Sequence, residues 1–188
     1  IHEEHSPRAS FLGFLYSTLN ILEQIIPVKK IDIDKSIQSL FNLQRIISSE
    51  NLNETNEALQ IAQWIKEIPM VYYPSGLQST AIRFKNSMQE NAKTHVMTED
   101  VIEACHNGIV AWDKPKNVQP ILIQGKDDYE KTKERWKIIK DLFHEKNIPY
   151  KEIFSQEGSI LNKIVCLIYL LDYASIYNAI ISKTDPTP

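Results

Sequence analysis

The feature that most constrains this chain is a change of pattern at Pro69. Downstream of it, short unbroken apolar runs alternate with segments of helical length. Met70-Val71-Tyr72-Tyr73 has no polar alternation, which is the pattern of a strand buried on both faces. Pro120-Ile121-Leu122-Ile123-Gln124-Gly125 repeats it and reads as the clearest central strand. Ile148 to Phe154 alternates in part and reads as another strand, with His95-Val96-Met97 a weaker candidate. The intervening segments read as helices from about Ser79 to Lys93, from Glu99 to Cys105 behind a Thr98 cap, and from Tyr129 to Lys146 behind Asp127-Asp128. A final, mostly apolar helix spans Ile160 to about Ile181. Strands alternating with helices are the mark of βαβ units, which form a parallel sheet with helices on both faces. The expectation is an α/β fold, a three-layer αβα sandwich with a mostly parallel sheet of three or four strands.

Residues 1–68 carry no strand signal. Pro7 to Ile26 places Phe11, Leu12, Phe14, Leu15, Leu19 and Leu22 close to a 3.6-residue period, and Pro27 stops it. About Asp32 to Ser49 repeats the pattern with Ile37, Leu40, Leu43, Ile46 and Ile47. Asn53, Asn56 and Glu57 read as the capping region of a third helix, Glu54 to Ile68. The chain therefore divides into a helical inter-domain or arm segment, 1–68, and an α/β domain, 69–188.

At 188 residues the chain can bury a core of its own, roughly 70% of the unfolded surface, and needs no disulfide or metal staple. No apolar run reaches the roughly 20 residues of a bilayer span, since Asn162 and Lys163 interrupt the longest. The acidic-polar start, Ile1-His2-Glu3-Glu4-His5, is not a secretory signal, and the absence of an initial methionine points to a fragment or a processed product. A formal charge of −3 argues against a nucleic-acid surface. Cys105 and Cys166 have no second cysteine nearby, as expected of a reducing, cytoplasmic protein with no membrane partner.

Several residues bear on chemistry. Tyr73-Pro74-Ser75-Gly76-Leu77-Gln78-Ser79-Thr80 joins a strand to a helix N-terminus, where open α/β sheets bind ligands. Ser75, Gly76, Ser79 and Thr80 are its candidate ligand contacts, although neither a Walker loop nor a dinucleotide fingerprint is present, and an ordinary capped turn fits equally. Glu90 and His106 are a carboxylate and an imidazole with no local motif joining them, able to meet only at a sheet edge or across a subunit boundary. No metal site is expected: His2 and His5 are terminal, His95 and His106 lack helix-face spacing, and no CxxC or HExxH occurs. The Lys126 to Lys151 tract interleaves acids with its bases, as an exposed helix does.

Four stretches together resemble the C-terminal half of the bifunctional phosphoglucose/phosphomannose isomerases, a branch of the sugar-isomerase (SIS) superfamily. They are Pro7-Arg8-Ala9-Ser10, the helix Arg83-Phe84-Lys85-Asn86-Ser87-Met88-Gln89-Glu90-Asn91-Ala92-Lys93, the block Glu103-Ala104-Cys105-His106-Asn107-Gly108-Ile109-Val110-Ala111-Trp112, and the closing segment from Asp172 to Asp185-Pro186-Thr187-Pro188. The resemblance runs over essentially the whole chain and implies an SIS-type sandwich. By it, Glu90 is the base that moves a proton between C1 and C2 of an open-chain hexose phosphate. His106 acts in ring opening, in the active site of a neighbouring subunit of a homodimer, and Arg8 lies near the substrate. An enediol route needs no cofactor or metal, only a carboxylate, a group that protonates the ring oxygen and a cation near the developing charge.

The family's N-terminal SIS domain, with its phosphate-binding loops, is missing from this sequence, as is a lysine just beyond the aspartate-proline-threonine-proline motif. The resemblance thus implies at best a half-enzyme. Two other readings stay open. One is a non-catalytic SIS domain that binds sugar phosphate or mediates dimerisation; the other is a structural module using the apolar helices 12–26 and 160–181 as an interface.

Overall fold

The computed structural model describes residues 8–114 and 117–187. Three helices come first: α1 (Phe11–Ile21), α2 (Lys30–Ile47) and α3 (Glu57–Trp64). There follow β1 (Ile68–Tyr73), α4 (Gln78–Asn91), β2 (Met97–Asp100), the single turn α5 (Val101–Ala104) and a 3-10 helix, Gly108–Asp113. The chain then runs through β3 (Val118–Gln124), α6 (Glu130–Glu145), β4 (Lys151–Phe154) and α7 (Ile160–Ile181). The sheet has four strands in the order β2-β1-β3-β4, every pairing parallel. Chain order reverses between β1 and β3, so the sheet is doubly wound.

Two prolines stand inside these strands without breaking them. Pro69 pairs with Gln119 of β3, while the pairing of β1 with β2 starts only at Met70. Pro120 pairs with Met70, while the pairing of β3 with β4 starts at Ile121. Each proline therefore sits where one flank of the strand is unpaired, and its missing N–H costs no ladder bond.

Alternation in the strands feeds two cores. Val71, Tyr73, Ile121, Ile123 and Ile153 face a layer made by α2, α3, α4 and α7. Tyr72 and Leu122 face the other way, onto Val101, Ala104, Trp112 and the α6 residues Trp136, Ile139 and Phe143. The result is an SIS-type three-layer αβα sandwich, preceded by helices. By length and composition α7 could cross a membrane; here it is a core helix, with Val165, Leu167, Leu171, Ala174 and Ala179 buried against the other three.

Element boundaries depart from the sequence reading in instructive ways. The expected His95–Met97 strand runs instead from Met97 to Asp100, so Thr98 is in the strand, and the helix cap is Asp100, whose carboxylate accepts from Ile102 N–H at 2.7 Å. The pairing of Tyr72 with Glu99 and Tyr73 with Asp100 extends the strand over residues that local chemistry would give to a helix start. Asp128 does not cap α6: its carboxylate accepts from Gly125 N–H at 3.0 Å and Trp136 Nε1–H at 3.1 Å, bracing the turn after β3. Helix α3 stops at Trp64, short of Ile68, because its last carbonyls are taken by tertiary donors: Asn178 Nδ2 bonds Ala62 O, and Gln119 Nε2 bonds Trp64 O.

Asn56 ties the preceding helices together. Its Oδ1 accepts from Leu59 N–H at 3.0 Å as the α3 cap, while Nδ2 donates to Ile47 O at 3.1 Å and Asn51 O at 2.9 Å, and the residue is fully buried. Asn56→Ala removes the cap and leaves buried backbone groups unpaired, so it is expected to lower stability by about 2 kcal/mol, measured by urea unfolding.

Candidate functional site

Arg8 lies just ahead of α1 and Glu90 in the last turn of α4; the fold brings them together. Arg8 Nε stands 3.5 Å from Glu90 Oε2. The Glu90 side chain is 55% exposed, so the pair is open to solvent on one side. Helix α4 ends with Lys93 in the left-handed region at φ 54°, and the Lys93 ammonium folds back to donate to Glu90 O at 2.7 Å. The same ammonium donates to Thr187 O, and Arg8 Nη1 donates to Pro186 O at 2.9 Å. Two cations thus gather the first described residues, the end of α4 and the segment behind α7.

Beside Arg8 opens a groove of about 460 Å³, walled by Phe11, Arg83, Ser87, Tyr169, Asp172 and Tyr173 among others. Arg83 forks onto Asp172, with Nη2 2.9 Å and Nε 3.2 Å from its carboxylate oxygens, and stacks over the Phe11 ring at 5.0 Å. Ser87 Oγ–H donates to the same carboxylate. Glu90 is outside the groove lining, although its partner Arg8 is part of it.

His106 is elsewhere in this chain. It follows α5, which leads directly from the C-terminal end of β2 and packs on the sheet face opposite α4. His106 is solvent-exposed, its backbone N–H bonded to Glu103 O. Among the described residues no hydrogen bond, ion pair or shared cavity joins it to Glu90. The Ser75–Thr80 loop sits at the C-terminal edge of the sheet, at the start of α4, whereas Glu90 is near its end. From Thr80 to Glu90 the helix rises about 15 Å. Ser75, Gly76 and Ser79 are exposed, and Gly76 adopts φ 91°, a conformation that a side chain would strain. Thr80 is fully buried, and its Oγ1 has no partner among the described residues. In a single chain the structure therefore brings Glu90 and Arg8 together and holds His106 and the loop apart from them.

Among the described residues no group of three or more His, Cys, Asp or Glu side chains could hold a metal ion; His2 and His5 lie outside them, as do Pro7 and Pro188.

A second cavity, of about 440 Å³, opens on the α5 side between Met70, Tyr72, Met97, Glu99, Trp112 and Val118. Trp112 Nε1–H donates to Tyr72 Oη at 2.8 Å, and burial pushes the Tyr72 phenol up to about 12. The Glu99 carboxylate sits against Gly108, where an added Cβ would collide with Oε2. Desolvation, then the nearby Glu103 and Asp100 carboxylates, hold Glu99 above the ordinary carboxylate range.

Comparison with known proteins shows the family of the chain. A family model described as the bacterial phospho-glucose isomerase C-terminal SIS domain matches residues 54–188. The chain belongs to this family. The SIS-domain chain is 30% identical, over 97% of its own length and 56% of the relative's, to the bifunctional phosphoglucose/phosphomannose isomerase of Caldicellulosiruptor bescii. It is 27% identical to the protein of the same description in Aquifex aeolicus, over 75% of this chain and 47% of that one. It thus spans about half the length of the curated relatives it matches. In fold it is similar to a glucose-6-phosphate isomerase-like protein of Thermus thermophilus, with a TM-score of 0.65 at 16% identity over 84% of this chain and 52% of that one. Fold and family together place the SIS-domain chain in the sugar-phosphate-isomerase superfamily.

The α7 contribution to the groove is absent from the sequence reading. Asp172 is the sole acid in Ile160–Ile181, and Ser175 and Asn178 follow at three-residue steps on the same helix. An acid and two polar residues spaced by three in the second half of a mostly apolar helix are a legible sign that one face bonds to something.

Because Glu99 is raised in the folded state, its ionisation opposes folding. Its contribution is most favourable below the ordinary carboxylate range and is lost as pH rises through its raised pKa. Glu99→Gln is therefore expected to raise the melting temperature at pH 8 relative to the unsubstituted protein, with the difference shrinking towards pH 4 in parallel thermal melts.

Proposed function

We propose that this SIS domain is the C-terminal half of an enzyme that interconverts aldose and ketose hexose 6-phosphates, glucose or mannose 6-phosphate with fructose 6-phosphate, through a cis-enediol. The observation that carries the reading is the Arg8–Glu90 pair, a carboxylate with a guanidinium 3.5 Å away beside an open groove. In the aldose-to-ketose direction the Glu90 carboxylate takes the proton from C2 while electron density moves onto the carbonyl oxygen at C1. Arg8 offsets the negative charge growing there. Glu90 then returns the proton to C1 as the C2 hydroxyl proton passes to the oxygen at C1, completing the ketose. One carboxylate serves both transfers, which is why a single base suffices. The Glu90 side chain is about half exposed in this chain, and the bound sugar would shield it from solvent.

His106, as the group that opens the sugar ring, would come from a neighbouring copy, since within one chain it follows α5, which packs on the opposite sheet face. The phosphate would be held by the part of the relatives' length that this chain does not span. The same separation of Glu90 from His106 favours a second reading, in which the SIS domain binds a sugar phosphate or mediates dimerisation without turnover.

Two measurements test the isomerase reading. In the full-length protein carrying this chain, Glu90→Gln should leave the fold intact and slow deuterium exchange at C2 of the hexose phosphate by at least about 100-fold; undiminished exchange removes Glu90 as the base. Mixing the separately inactive Glu90→Gln and His106→Ala proteins should restore part of the activity if the two residues act across a subunit boundary. No recovery on mixing, with both variants dimeric, rejects the shared site.

A further inference from the structure

We propose that Asp172, in the middle of α7, is a positioning residue that sets Arg8 against Glu90; the inference rests on the isomerase reading above. Two hydrogen-bonded routes run from α7 to Arg8. The first passes through the ion pair: the Asp172 carboxylate holds the Arg83 fork, and Arg83 Nη2–H donates onward to Arg8 O at 2.8 Å, fixing the main chain. The second passes through the same turn of α7. Ser175 Oγ–H donates to Asp172 O at 2.7 Å, Asn91 Nδ2–H donates to Ser175 Oγ at 2.8 Å, and Asn91 Oδ1 accepts from Arg8 Nη1–H at 2.6 Å, fixing the guanidinium.

The burial pattern fits this role. The Arg83 and Asp172 side chains are 22% and 23% exposed, Ser175 is fully buried, and Asn91 is buried while its sequence neighbour Glu90 is open. The ordered part of the network thus lies underneath, and its last member points at the reacting carboxylate. Ser87 gives the Asp172 carboxylate a further donor, and Phe11 stacks on the far side of Arg83, so the fork has little freedom to turn. Arg8 lies in the turn ahead of α1. An arginine side chain has many rotamers, and effective positioning requires that these be removed before substrate arrives. Asp172 can do so without touching the substrate, because its carboxylate acts through Arg83, while the Ser175–Asn91 relay hangs on its main-chain oxygen.

The test is a double-mutant cycle in the full-length protein, read in kcat/KM for hexose-phosphate isomerisation. Asp172→Asn is expected to lower kcat/KM by about tenfold or more in the wild-type background and by no more than about twofold when Arg8 is already alanine. Equal losses in the two backgrounds overturn the proposal, since a merely structural effect would be additive. A second readout needs no activity: the 1H–15N signal of the Arg8 side-chain Nε–H in this chain. It should shift and exchange faster with solvent in Asp172→Asn, and an unchanged Arg8 signal overturns the proposal. Should Asp172→Asn fail to fold, Arg83→Gln breaks the same route one step further on and carries both readouts. If the unsubstituted protein isomerises no hexose phosphate, the isomerase reading falls, and the Arg8 signal alone then decides whether Asp172 positions it.

Discussion

The structure depends on the burial of α7. A helix of 22 residues with Val165, Leu167, Ile168, Leu171, Ala174 and Ala179 spread around its circumference has no stripe it can leave to water along most of its length. It is stable only where other elements take up that surface, and here α2, α3 and α4 do so together with the sheet. The helices that precede β1 share this core with the α/β layers that follow. Tyr177 shows the coupling at one residue: from α7 its hydroxyl donates to Ile47 O at the end of α2, the carbonyl that Asn56 also bonds.

That constraint explains why polar groups on α7 matter so much. Inside such a helix each polar side chain must find a partner or cost the fold, since an unpaired buried donor or acceptor is expensive. Asp172 finds Arg83 and Ser87, Ser175 finds Asn91, and Asn178 finds Ala62 O. The partners chosen by Asp172 and Ser175 lie on α4 and lead to Arg8. Satisfying the core and building the candidate site are therefore one set of hydrogen bonds. The arrangement also places the Arg8–Glu90 pair towards the end of α4, away from the sheet's C-terminal edge, where the Ser75–Thr80 loop sits at a position that open α/β sheets commonly use for ligands. Two separated polar regions on one domain fit a protein whose relatives are about twice as long.

How much was legible in the residues differs by level. The α/β class follows from unbroken apolar runs such as Val71 to Tyr73 and Ile121 to Ile123, because a parallel strand covered on both faces has no polar side to show. Boundaries were less legible where local and long-range bonding compete. Thr98 is as good a cap as Asp100 by residue type, and the ladder with β1 chose between them. Asp128 reads as a cap, yet Gly125 N–H and Trp136 Nε1–H claim its carboxylate. For the site, Arg8, Glu90 and His106 stand out by likeness to a family; Asp172 opens one of the stretches that carry that likeness but is given no role by it, although a lone acid in a mostly apolar helix is a visible anomaly.

By itself the sequence determined the class of fold, the run of helices ahead of the sheet and the family to which the chain is similar, since these rest on periodicity and on residues close together along the chain. Tertiary structure alone decided that Arg8 meets Glu90, that Asp172 and Ser175 reach Arg8 through α4, and that His106 faces solvent on the other side of the sheet. Those contacts join residues remote in the chain, and their geometry is set by how α4 and α7 pack over the sheet, which no local pattern encodes.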